Sequence, residues 1–137
     1  MATNIRRVDY YYATVENQPG EGYELLGQLA QQGINLLAFT AVPMGPTRTQ
    51  LALFPEDAAR MAEVARKAGL GLDGPHRALL VQGDDRLGVV AGIHAKLHES
   101  DVHVYAASCV TDGRGSYGYI LYIRPDEYER AVRALQV

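Results

Sequence analysis

The chain has a single cysteine among its 137 residues, Cys109, which excludes an internal disulfide and a cysteine-built zinc cage. No run of about 18 apolar residues occurs, so no membrane span is expected. Basic residues are not in excess. Thirteen Lys and Arg stand against sixteen Asp and Glu, a net charge of −3, whereas nucleic-acid binders usually carry a basic footprint. The first residues, Met1 to Arg7, have no long apolar run behind their charges and do not read as a signal peptide. A cytoplasmic location is the expectation. What the chain does have is a 47% hydrophobic composition, ordinary for a globular protein.

It also has an internal echo. Shifting the sequence by 68 residues sets Gly20 against Gly88, Leu29 against Leu97, Ala38 against Ala106, Val42 against Val110 and Gly45 against Gly113, without a gap. Identity is low, so the order of structural signals matters more. Each half opens with a short run of strand formers, Val8–Val15 and Arg77–Gln82. A polar, glycine-bearing elbow follows in each, at residues 16–20 and 84–88. Helical spacing comes next, through Leu25, Leu26 and Leu29 or Val89, Val90, Ile93 and Leu97. Gly33 and Asp101 are placed to stop these helices in the left-handed conformation. Two strands then form a hairpin, Ile34–Val42 with Gln50–Phe54 and Val102–Val110 with Tyr117–Ile123, and a second helix starts after Pro55 or Pro125.

The pattern predicts an α+β chain of two ferredoxin-like βαββαβ repeats, 1–73 and 74–137, with antiparallel sheets packed side by side. Residues around Asp73-Gly74-Pro75 read as a linker, and Leu70-Gly71-Leu72 as a short fourth strand for the first repeat. The second repeat has only Leu135-Gln136-Val137 left, so its fourth strand is either missing or supplied by another segment. The strands Ile34–Val42 and Val102–Val110 are apolar on both faces. An antiparallel sheet with helices on one side should show a polar second face. Either a second chain covers that face, making a homodimer, or each strand is short and fully buried within one chain.

The elbows are the candidate binding sites. Free amide hydrogens at a helix start favour a carboxylate, and Gly20, Gly22 and Gly88 allow close approach to the backbone. Asn17 can donate and accept at once, while Glu16, Glu21, Asp84 and Asp85 can hold an ammonium. Carboxylate and ammonium together describe a free amino acid. The plainer reading is that Pro19-Gly20 begins a helix and the acids offset its dipole.

The elbow Glu16-Asn17-Gln18-Pro19-Gly20, followed by a helix and Gly33-Ile34-Asn35-Leu36, resembles the ACT domain family of amino-acid-binding regulatory modules. The resemblance implies ligand contacts at Asn17, Pro19 and Asn35, matched in the second half by Asp85, Leu87 and His103. Val15 stands where the serine-sensing pattern has histidine. Ser108 and Cys109 lie mid-strand with no base implied beside them, so no catalytic residue and no cofactor are expected, and a sensor of this kind would act in trans on a regulated protein.

Three other readings compete. His94 and His98 share a helix face at metal-ligand spacing, but no third ligand lies nearby in sequence. Residues 114–122, rich in Gly and Tyr, come close to the aromatic strand of RNA-recognition domains, although Ala78-Leu79-Leu80-Val81 lacks the partner aromatic. Tyr10, Tyr11, Tyr12, Tyr117 and Tyr119 read instead as core or interface aromatics. A module that keeps the fold for protein interaction, without a ligand, is the third.

Overall fold

The computed structural model describes residues 3–137; residues 1 and 2, where the first expected repeat begins, lie outside the described residues. The elements are β1 (Asn4–Glu16), α1 (Glu21–Gln31), β2 (Leu36–Met44), β3 (Arg48–Pro55), α2 (Ala58–Ala68), β4 (Asp73–Asp84), α3 (Val89–Glu99), β5 (Val104–Thr111), β6 (Ser116–Ile123), a 3-10 turn (Pro125–Glu127) and α4 (Tyr128–Leu135). They form two compact units. One comprises Asp9–His76; the other comprises Arg77–Val137 together with residues 3–8.

In the Asp9–His76 unit the strand order is β2-β3-β1, followed by the first residues of β4. The pairs β1–β3 and β2–β3 are antiparallel, with Tyr11 opposite Leu53 and Phe39 opposite Leu53. Period-two alternation turns Tyr11 and Ala13 of β1, with Leu51 and Leu53 of β3, toward the helices. There they pack with Leu29 of α1 and Met61 and Val64 of α2. Leu29, Leu53 and Met61 are fully buried, each worth about 1.5–3 kcal/mol. On the other sheet face Tyr10 stacks on Phe54 with centroids 4.9 Å apart, and His76 lies 5.3 Å from both Tyr10 and Tyr12.

The second unit follows the same order, β5-β6-β4 followed by the first residues of β1. Leu79, Val81, Leu121 and Ile123 meet Ile93 and Leu97 of α3 and Tyr128, Val132 and Leu135 of α4. Ile5 packs against this cluster. Tyr128 sends its hydroxyl to the Ala78 carbonyl (3.0 Å), and the Arg77 guanidinium lies over its ring at 4.3 Å.

The helices stop where the local signals place their ends. Gly33 (φ +75°) and Asp101 (φ +57°) both adopt the left-handed conformation just past their helices. The following amides, of Ile34 and Val102, donate to the carbonyls of Leu29 and Leu97 at 2.9 Å, which ends each helix in a Schellman turn. Ile34 and Val102 are therefore spent on helix termination, and β2 and β5 begin two residues later than the expected strands.

Three expectations are corrected. Leu70-Gly71-Leu72 is not a strand. Asp73-Gly74-Pro75 is not a linker but the start of β4, and it provides the fourth strand position of the Asp9–His76 unit. The missing fourth strand of the other unit comes from the start of β1, where the Arg6 guanidinium reaches the Gln82 side chain at 3.4 Å. The third correction concerns β2 and β5, which are not buried strands within one chain. They end the strand order of their units, and Phe39, Val42, Met44, Tyr105 and Val110 are exposed, Val110 to 70%.

Candidate functional site

Each elbow begins with a strand end and finishes with a left-handed glycine as helix N-cap, Gly20 (φ +93°) before α1 and Gly88 (φ +83°) before α3. L residues rarely adopt this conformation, so glycine is selected at both positions. Neither N-cap makes a side-chain hydrogen bond; the first amide of each helix, of Glu21 and Val89, donates instead to an elbow carbonyl, that of Gln18 (3.3 Å) or Arg86 (3.1 Å). No atom lies within 4 Å of where a Cβ would stand on either glycine. The elbows are open to solvent.

The backbone around them is held in the same way, 68 residues apart. The Asn17 amide donates to the Thr47 carbonyl (2.7 Å), and the Asp85 amide to the Gly115 carbonyl (2.8 Å). Glu24 and Gly92 donate to the carbonyls of Gly20 and Gly88 at 2.8 and 2.9 Å. Register shifts recur between Leu36 and Ala38 of β2 and between Val104 and Ala106 of β5.

The expected contacts are not all found together. Asn17, Pro19, Gly20, Asp85, Leu87 and Gly88 are exposed on the elbows, Leu87 completely, with Gly22 and Asp84 half-buried beside them. Asp84 lies 3.9 Å from Arg86. Asn35 and His103 sit elsewhere. The elbow bonds to Thr47, at the tip of the β2–β3 hairpin, whereas the Asn35 side-chain amide donates to Glu56 (2.7 Å), past the far end of β3. The length of β2 separates them, roughly 25–30 Å at about 3.3 Å per residue. His103 mirrors this placement, its backbone amide donating to the Glu127 carboxylate at 3.0 Å while Glu127 also meets Arg130 at 3.3 Å.

His94 and His98 do not form a metal pair. His94 hydrogen-bonds the Tyr119 hydroxyl, His98 faces solvent, and the described residues contain no group of three metal donors. Burial, with a smaller contribution from Cys109, pushes the Tyr119 hydroxyl above the ordinary phenol range. Tyr117 and Tyr119 are each only 4% exposed and pack with Ile93 and Leu97 against the helices. A base cannot stack on them, so the RNA reading loses its platform.

Two grooves went unseen in the sequence. One, of about 220 Å³, runs along α1 past Glu21, Glu24, Leu25 and Gln28. The other, of about 640 Å³, runs along α3 past Val89, Gly92, Ile93 and Lys96. The four helix positions correspond at the same 68-residue shift. A mid-helix glycine at 92, opposite a glutamate at 24, was the available signal.

No protein-family model and no curated protein matches the sequence. Among solved structures, the chain is similar to protein BT0572 of Bacteroides thetaiotaomicron, with a TM-score of 0.81 and 14% identity, covering 96% of this chain and 88% of that one. It is also similar to the regulatory subunit of aspartate kinase from Thermus thermophilus in its ligand-free form (TM-score 0.65, 17% identity, 99% of this chain and 96% of that one). The regulatory subunit of aspartate kinase from Thermus flavus gives a TM-score of 0.61 at 19% identity, over 98% of this chain and 94% of that one. These likenesses establish architecture. The chain has the ACT-type α+β fold that it shares with the regulatory subunits of aspartate kinase.

Proposed function

We propose that the two halves, 1–73 and 74–137, are copies of one regulatory module, and that the chain senses a free amino acid at its elbows rather than catalysing a reaction. The observation that carries this reading is the pair of left-handed glycine elbows without a side-chain cap, Gly20 and Gly88, open to solvent at equivalent places. A ligand carboxylate would take the next amides of the first turn, of Gly22 and Tyr23 or of Val90 and Ala91, and Asn17 or the Asp84 and Asp85 carboxylates would meet its ammonium. Asn35 and His103 lie too far from the elbow of their own hairpin to share its ligand. The exposed apolar residues of β2 and β5 support association with a second copy of the chain, which would cover them. Regulation follows if ligand binding favours one arrangement of modules through differential affinity, with a regulated protein reading the result in trans. The regulatory subunits of aspartate kinase that share the fold favour this class over catalysis.

Thermal unfolding against the twenty common amino acids tests the proposal. A ligand at about 100 times its dissociation constant adds about 2.7 kcal/mol, a shift of several degrees. Asn17→Ala removes the response if the first elbow binds, and Asp85→Ala if the second does. A flat panel, with a protein co-purifying on the chain, replaces sensing with the ligand-free interaction module.

A further inference from the structure

The groove along α3 has a chemistry of its own. Ile5, Val89, Ile93 and Leu135 give it apolar walls, and Thr3, Asn4 and Gln136 a neutral polar rim. Among the described residues Lys96 is its single charged side chain, and no carboxylate side chain lines it. Its volume, about 640 Å³, lies within the usual range of small-molecule sites. Gly92 opens it. This glycine has no left-handed backbone to accommodate, and a Cβ placed on it would meet nothing within 4 Å. Glycine weakens a helix interior, so its presence here trades helix stability for space.

The matching groove along α1 makes the contrast. Glu21, Glu24 and Gln28 stand there where the α3 groove has Val89, Gly92 and Lys96. The equivalent position is narrow and acidic in one unit, and open and basic in the other.

We propose that the α3 groove binds a small aliphatic carboxylate lacking an ammonium group. The carboxylate pairs with Lys96, and the hydrocarbon body lies on Val89, Ile93 and Leu135 over the space left by Gly92. A free amino acid gains less, because its ammonium finds no acidic partner among the described lining residues and stands near Lys96. This site begins beside the second elbow, at Val89, but its reading does not depend on that of the elbows.

Isocaproate, leucine and isohexanol share one branched body and differ only in charged groups, so they are the probes. The full chain is titrated with each, and binding is read by calorimetry and by amide chemical shifts. Isocaproate is expected to bind saturably and to move the amides of Gly92, Ile93 and Leu135. Leucine and isohexanol should bind there at least about tenfold more weakly, the scale of one charge-assisted hydrogen bond. Lys96→Met should cost isocaproate the same factor and leave isohexanol unchanged. Gly92→Leu should abolish binding with no loss of thermal stability, since the new side chain displaces nothing. Equal binding of all three probes, an unaffected Lys96→Met variant, absent isocaproate binding, or shifts mapping elsewhere would each overturn the proposal. The amino-acid panel reads the elbows and this titration reads the groove, so either reading can fail alone.

Discussion

Gly74 shows how much one residue can decide. Its φ of +144° belongs to glycine, and a Cβ there would stand 2.9 Å from the Tyr10 carbonyl oxygen and 3.0 Å from the Tyr11 ring. Gly74→Ala is expected to destabilise the chain by at least about 1–3 kcal/mol through backbone strain, with the collision adding more. A denaturant midpoint unchanged from the parent would contradict the close approach. In the sequence, Gly74 between Asp73 and Pro75 carried the ordinary signs of a linker. Its neighbour across the sheet, Tyr10, is sixty-four residues away, so composition alone had no access to the contact. Asn35 is a second case. Its amide was identified as a ligand contact by resemblance, but only the folded chain shows that Glu56 already holds it.

Elements were more legible than contacts, because their starts and stops are written in neighbouring residues. Asp57 caps α2, accepting a hydrogen bond from the Arg60 amide at 3.1 Å, and Gly69 closes the same helix in the left-handed conformation. Asp57→Ala should cost about 1 kcal/mol, within the 0.5–2 kcal/mol range of lost N-caps. It should lower the urea midpoint without changing the slope, and an unmoved midpoint would show that water replaces the cap. The exposed α1 and α3 starts contrast with this. They have glycine in place of a capping side chain, and only their first amides, of Glu21 and Val89, are taken up by elbow carbonyls. Strand limits were read less well. Ile34 and Val102 look like strand residues, yet each is used to terminate the helix before it.

At the scale of the molecule, the strand supply is the main lesson. β1 runs from Asn4 to Glu16, and its first residues belong to the compact unit that contains Arg77–Val137. Ile5 packs there against the core of α3 and α4. Ile5→Ala should therefore lower the stability of that unit by on the order of 1–2 kcal/mol, less than the 2–5 kcal/mol of a fully buried isoleucine. Hydrogen exchange at Leu79 and Val81 of β4 reads the effect. Unchanged protection there would mean that residues 3–8 do not dock as described.

The sequence by itself determined the βαββα order, the helix stops at Gly33 and Asp101, the inward faces of the helices and the 68-residue echo. All of these depend on residues within a few positions of one another, or on a pattern repeated along the chain. Only the tertiary structure decided which segment fills the fourth strand position of each unit, which apolar faces stay exposed and which helix side opens into a groove. Those outcomes rest on contacts between residues far apart in sequence, and strand pairing leaves no local mark of its partner.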